Sequence, residues 1–352
     1  MIKKNPIVEE DLNYIYSQHI NKSYYSGKRI LITGASGFLG YYLSRYLVKF
    51  KKKLKIKKLF LTSLNISELK KLNLNEVSVK KFDVVNDSLS KFNIKFDIII
   101  HAASIASPVE YRKNPILTMK SNVLGLWNIL EYCKNKKTKV FFFSSSEVYG
   151  DPLKSEIPTK ETYLGNVNCL GPRACYDEAK RFSETMCLEY SKKYKKLKIV
   201  IVRPFNNFGP GMKTSDKRLP ADLAKQVLQK KNIVLYSDGK PQRTFCYISD
   251  AIIGYVNALS YNKFDVFNIG SIEELSTKQF AKLFVKASQK ILKYTPKITF
   301  KKHKDLNYLK DNPNRRCPDL KKSLRLLKYN PKISAYNGIL KYLKFLKYEN
   351  KY

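Results

Sequence analysis

The chain has 352 residues, 43% of them hydrophobic, and its 67 lysines and arginines against 29 acids give a net charge of +38. That length carries one large or two closely packed domains with a sizeable core. No apolar run approaches the roughly 18 residues of a membrane span, and the acidic N-terminus lacks the apolar core of a signal peptide. The six cysteines form no CxxC pair and the histidines number three. The sequence therefore predicts no metal site, with the thiols reduced in a cytoplasmic protein. Lysines run from Lys3 to Lys351 rather than massing on one element. The charge is accordingly read as a solvated surface with no specific nucleic-acid partner, its weaker effect being attraction of anionic substrates.

Residues 1–27 form a polar N-terminal extension with a short helix predicted over 8–18. A buried strand over 28–33 then runs through a glycine turn into a helix. Strands are predicted over 57–64, 79–85, 96–104, 139–146 and 198–205, with helices over 114–135 and 174–194. Short β-rich runs alternating with longer helices predict an α/β fold, a Rossmann-type doubly wound parallel sheet covered on both faces. Residues 28–205 are read as the dinucleotide-binding domain, with later returns to it. From 206 to 352 shorter elements separated by Gly, Pro and Asp predict a smaller, interleaved substrate-binding lobe. It ends in a basic amphipathic helix over 335–352, read as packing on the domain with its lysines solvated.

Gly34, Gly37 and Gly40 follow the first strand and open the next helix. One glycine serves the tight turn, one lets the backbone approach a pyrophosphate, and one lets the helix pack on the strand. The second strand ends in LFLTSLN, without the acid that usually holds the adenosine ribose of NAD. Thr62, Ser63 or Asn65 would replace it by neutral hydrogen bonds, so NADP is not excluded. Asp83 is placed at the adenine, and residues Ala102–Ser104 let the backbone approach the cofactor.

Tyr176 and Lys180 lie four apart on one helical face. An ammonium there favours the phenolate, which makes Tyr176 the base for a sugar hydroxyl while hydride leaves to nicotinamide. Ser145, at the C-terminal edge of the strand over 139–146, is the third member of the set.

With these motifs in view, the sequence resembles the extended short-chain dehydrogenase/reductases that modify nucleotide sugars. Within them it is most similar to the UDP-glucuronate decarboxylases, also called UDP-xylose synthases. HAASIASPVEYRKNP, SSSEVYGDP, GPRACYDEAKRFSETMC, FNNFGPGM, SDGKPQRTFCYISD and DNPNRRCPD carry the resemblance. The related dehydratases place an Asp-Glu pair after a Thr, where this chain has Ser145, Ser146 and Glu147. The 4-epimerases generally lack the carboxylate. The resemblance thus implies decarboxylation through C4 oxidation, with a dehydratase or 4-epimerase as the alternative reading. It implies Glu147 and Arg316 as the decarboxylation residues, and Cys317 departs from the family's usual lysine. Phe38, Leu39, Val84, Ala103 and Asn122 would join the cofactor site. Ser107, Tyr111, Ser146, Asn206, Arg218, Tyr236 and Arg243 would face a nucleotide sugar, with UDP the expected nucleotide. Gly211 replaces the family's usual arginine, removing one anion contact. The helices over 115–135 and 174–194 would pair across a homodimer interface.

Overall fold

The computed structural model describes residues 5–70, 72, 77–303 and 310–349. Seven strands form one parallel sheet: β1 (Arg29–Thr33), β2 (Lys58–Ser63), β3 (Val77–Lys81), β4 (Ile98–His101), β5 (Lys139–Phe143), β6 (Lys198–Pro204) and β7 (Asp265–Ile269). Their spatial order is β7-β6-β5-β4-β1-β2-β3. The chain starts in the middle with β1, works outward to β3, then crosses over to β4. Neighbouring strands that diverge in this way leave a crevice at their C-terminal ends, where ligands of open α/β sheets bind. The central strands are buried on both faces, as their unbroken Ile, Leu, Val and Phe runs require.

Helices cover the two faces. The helix Phe38–Phe50 follows the glycine turn, and Pro115–Cys133 packs against Ala174–Lys193 on the opposite face. The strand predicted over 79–85 stops at Lys81. The Asp83 carboxylate accepts from the amide of Val85 at 2.9 Å and from Asn86 at 2.8 Å, closing a turn that competes with the ladder. Beyond β6 the elements shorten. A three-stranded sheet of Glu274–Ser276, Gln242–Thr244 and Arg315–Arg316 brings the far end of the chain back over the C-terminal ends of β5 and β6. β7 itself comes from this late part of the sequence.

The N-terminal segment is woven into the core. Asn5 caps the helix Pro6–Gln18, and Val8, Leu12 and Ile15 are fully buried. Asp11, on the same helix, is also fully buried and accepts hydrogen bonds from Tyr42 (3.0 Å), Tyr247 (2.6 Å) and Lys341 (2.7 Å). One carboxylate therefore joins the first helix to the glycine-turn helix, the lobe and the C-terminal helix Ala335–Tyr348. That last helix buries Ile339, Tyr342, Leu343, Phe345 and Leu346, so its apolar face is spent on the domain. Its predicted final residues, 350–352, lie outside the described residues.

Asp11→Ala should destabilise the protein by about 2–4 kcal/mol, because it leaves two buried phenols without their acceptor and removes one of the two carboxylates that Lys341 pairs with. Urea unfolding of the variant beside wild type checks this, and Asp11→Asn should lose less.

Candidate active site

The glycine turn is built for close approach. Gly34 has φ +67°, and a Cβ there would stand 2.5 Å from the backbone of Ala103, so only glycine lets β1 and the turn after β4 meet. A Cβ at Gly40 would lie 2.4 Å from the Gly34 carbonyl oxygen. Gly37 is the N-cap of the helix and no side chain caps its first turn, which leaves that turn's amides for an anionic ligand. Phe38, Leu39, Gly40, Ala102 and Ser104 line the cleft beside it. These residues fit a dinucleotide.

The remaining cofactor-side residues divide. Asn122 is fully buried behind Ser104, accepting its hydroxyl at 2.9 Å and donating to the Thr118 carbonyl, so it orients Ser104 rather than lining the cleft. Val84 packs over Gly125. Thr62 is excluded from the ribose: it is fully buried and its hydroxyl donates inward to the Ile32 carbonyl at 3.0 Å. Asn65 is taken up as well, accepting from the amide and hydroxyl of Ser67. Ser63 is the residue left, and its hydroxyl meets that of Ser36 in the glycine turn at 2.6 Å.

Across the cleft, β5 ends at Phe143, and Ser144 to Glu147 turn through a short 3-10 helix whose N-cap is Ser145. Tyr176 and Lys180 reach the same place from the first two turns of Ala174–Lys193. Tyr176 is hydrogen-bonded to Ser145, and its ring stacks on Tyr111 with centroids 5.1 Å apart. One expectation is corrected here. Burial pushes the Tyr176 phenol up to about 12, and this outweighs any lowering by cations. The Lys180 ammonium donates to the Phe143 carbonyl at 2.7 Å and sits 5.7 Å from the centre of the Tyr176 ring. Burial brings Lys180 itself down to about 7.

Next to this set lies a charge cluster that gives the cleft its character. The Glu147 carboxylate pairs with Arg316 at 2.7 Å through one oxygen and with Arg173 through the other. Arg316 is 2% exposed and Arg173 is 6% exposed. Arg316 also donates to the Gly150 carbonyl at 2.6 Å and approaches Ser146 at 3.5 Å. Burial alone would raise Glu147, but Arg173 and Arg316 together hold it down at about 2. It is a permanent anion. Asp177 stands 3.7 Å from Arg173, and burial together with the Glu147 charge pushes it up to about 7.

Arg173 is the site residue that the sequence reading passed over. It stands in the GPRACYDE run beside the tyrosine, and the available signal was charge balance: a glutamate at a buried strand end needs a cation. Ser107, by contrast, begins the helix Pro108–Lys113 rather than lining the cleft. Among the described residues, four buried polar atoms without a hydrogen-bond partner belong to residues at this cluster: Tyr111 Oη, Arg173 Nε, Asp177 Oδ1 and Arg316 Nε. Buried polar groups are normally satisfied, so a polar ligand suits the place.

The lobe closes the other side. Asn206 (φ +35°), Arg218, Tyr236 and Arg243 all line the cleft, as do Arg112 and Lys217. Arg218 is clamped by Asp216 at 2.6 Å. Arg243 donates to the Gln242 and Pro313 carbonyls, and burial together with Arg316 lowers it to about 9. Gly211 lies near Tyr42 and Phe38. Among the described residues the lining is strongly cationic, with Glu147 as its one carboxylate.

Fold and site together define an enzyme with a dinucleotide cleft, a Ser-Tyr-Lys set and a seat for an anionic substrate. The chain belongs to the NAD dependent epimerase/dehydratase family, whose model matches residues 30–270, and its cofactor is NAD. Among curated relatives, UDP-glucuronic acid decarboxylase 1 of Xenopus tropicalis is 36% identical over 322 residues, covering 92% of this chain and 73% of that protein. UDP-glucuronic acid decarboxylase 6 of Arabidopsis thaliana is 32% identical over 319 residues, covering 91% and 89%. Among solved structures, UDP-glucuronic acid 4-epimerase from Bacillus cereus, in complex with UDP-glucuronic acid and NAD, superposes with a TM-score of 0.75. It is 26% identical and covers 91% of this chain and 99% of that one.

Arg173→Gln should raise the protonation midpoint of Glu147 by more than about one unit, since desolvation then faces Arg316 and the weaker effect of Arg243 alone. Difference infrared spectroscopy of the carboxylate band against pH measures it. Arg173→Lys should restore much of the depression.

Proposed function

We propose that the protein decarboxylates UDP-glucuronate in an NAD-dependent cycle, giving UDP-xylose or its 4-keto precursor. The observation that carries this reading is the ionised Glu147 held between Arg173 and Arg316 next to Tyr176 and Ser145. The decarboxylase relatives support it, as does the cationic lining, which suits a substrate with a diphosphate and a carboxylate.

Tyr176 takes the proton of the C4 hydroxyl, and Ser145 holds that hydroxyl in line. The bound NAD supplies the acceptor for the C4 hydrogen and later the donor that returns it. Before ligands bind, burial keeps the Tyr176 phenol protonated, at about 12. Loss of that proton to solvent would be favoured beside the positive nicotinamide of bound NAD, leaving the phenolate that accepts the hydroxyl proton, while Lys180 anchors the Phe143 strand end beneath. The 4-keto sugar acid is a β-keto acid, so loss of carbon dioxide leaves an enolate whose oxygen faces Tyr176 and Ser145. Arg316 has its two terminal nitrogens committed to Glu147 and Gly150, and therefore orients the substrate carboxylate without burying it in a full bidentate pair. The fixed negative charge of Glu147 favours departure of that carboxylate as a neutral molecule. Glu147 then orients the water that protonates C5; at about 2 it is an acceptor, not an acid. Asn206, Arg218 and Arg243 receive the diphosphate.

The 4-epimerase alternative has the Bacillus cereus structure in its favour, and its cycle needs Tyr176, Ser145 and Lys180 but no carboxylate–arginine pair. We propose further that the enzyme is a homodimer. Ile116, Leu124 and Trp127 expose one stripe of the helix Pro115–Cys133, and Phe182 is half exposed on its partner helix. The six cysteines are free, which accords with a reducing compartment such as the cytoplasm.

Tyr176→Phe should abolish reduction of bound NAD by UDP-glucuronate while NAD still binds, and absorbance of the reduced nicotinamide follows it. Arg316→Ala and Glu147→Gln should keep that first reduction but lose on the order of 100-fold in release of labelled carbon dioxide. Normal release from both would overturn the decarboxylase assignment. Light scattering should give twice the chain mass, and a monomer at micromolar concentration would contradict the dimer.

A further inference from the structure

The lysines look dispersed along the sequence, but the fold gathers many of them. Six connections enter the sheet at its amino-terminal edge, the pole opposite the active site: residues 19–28, 51–58, 93–97, 134–139, 192–198 and 260–265. Hydrogen bonds lock them side by side. Gly27 donates to the Lys55 carbonyl at 2.8 Å, Lys139 to that of Asp97 at 2.9 Å and Lys198 to that of Thr138 at 3.1 Å, while Asn21 meets Ser260 at 3.2 Å. These segments make up less than an eighth of the chain, yet they hold 19 lysines and two acids, so +17 of the net +38 sits on this one pole. Both acids already have partners elsewhere, Asp97 with Arg29 and Asp265 with Lys322. Crowding has a direct trace in Lys139, which is buried and lowered to about 7 by burial and by Lys198.

Part of this pattern is ordinary. Five helices end at this pole, and lysines there complement their dipoles. Five half-charges of about −0.5 each offset only a small part of +17, however. The segment 51–58 shows the rest of the design: Leu54 and Ile56 are buried anchors, and Lys53, Lys55, Lys57 and Lys58 between and beside them are exposed. The array is rigid and broad, spanning about 24 Å at the spacing of neighbouring strands.

We propose that this pole docks peripherally on an anionic lipid surface, leaving the substrate cleft facing away from it. Charge complementarity selects the partner, and the make-up of the pole favours lipid over nucleic acid. All 19 cations are lysines, point charges without the planar fork that reads bases. The tyrosine rings nearby are covered rather than offered for stacking: Lys53 lies over Tyr16, Lys28 over Tyr24, Lys136 over Tyr132 and Lys193 over Tyr194. A planar anionic surface draws on the exposed charges of the pole together, because they stand within a Debye length of its headgroups. This inference is independent of the reaction proposed above.

The test is co-sedimentation of the full chain with vesicles of phosphatidylcholine alone or with a third of phosphatidylserine, at physiological salt. Two charge-matched variants accompany it. The pole variant reverses Lys57, Lys58, Lys137, Lys195, Lys196 and Lys263 to Glu, and the lobe variant reverses Lys230, Lys231, Lys240, Lys282, Lys290 and Lys344. All twelve are exposed and none lines the cleft. Binding should require phosphatidylserine, fall more than about tenfold in the pole variant and far less in the lobe variant. Circular dichroism and NAD binding show that each variant is folded. Absence of binding to the anionic vesicles, equal losses in both variants, or displacement from them by an equal charge of duplex DNA would overturn the proposal.

Discussion

A carboxylate at the end of a buried strand is tolerable only if cations meet it there, and Glu147 has two. Burial of an unpaired ion costs several kcal/mol, so the positions of Arg173 and Arg316 are as constrained as that of Glu147 itself. Arg173 arrives as the N-cap residue of the helix that carries Tyr176 and Lys180. Arg316 arrives on a two-residue strand from near the chain's end, paired to Gln242–Thr244. Satisfying one anion thus draws the lobe onto the sheet and fixes the Ser-Tyr-Lys set beside it. The short lobe strands, with little core of their own, gain their register from this contact and from the sheet they share.

The same fold serves enzymes that invert a carbon and enzymes that remove one. Structures 20% identical to this chain superpose with TM-scores near 0.79, so the scaffold alone says little about chemistry. The difference lies in a few side chains beyond the strand ends. In the proposed reaction Tyr176 and Ser145 would manage the hydroxyl proton that C4 oxidation releases. The Arg173–Glu147–Arg316 cluster joins the lobe to the sheet, and in the proposed reaction it would also serve the carbon dioxide loss that simple oxidation and return does not need.

The sheet and its helices were legible because each depends on local pattern: apolar runs of strand length, helices of ten or more residues, and glycines where a turn meets a phosphate. Tyr176, Lys180 and Ser145 could be paired from spacing and order. Other features depend on what surrounds a residue. Thr62 stands at the right place in sequence for a ribose contact, but the strand's alternation turns its hydroxyl inward to Ile32. The Tyr176 phenol was expected to be lowered by Lys180, whereas burial dominates and the ammonium prefers a carbonyl. Arg173 stood in plain view, but its value appears only once Glu147 is seen to be enclosed. Lysines that are scattered in sequence become one pole because parallel strands all begin on the same edge. Periodicity cannot show that; topology can.

The most direct test of the account is the mass of the nucleotide sugar formed from UDP-glucuronate by the purified protein with its bound NAD. Decarboxylation predicts a product lighter by one carbon dioxide, either UDP-xylose or the 4-keto pentose, with labelled carbon dioxide released in equal amount. A product of unchanged mass with inverted C4 would show the same Tyr176 chemistry without carbon loss. It would contradict the role given to the Glu147 cluster.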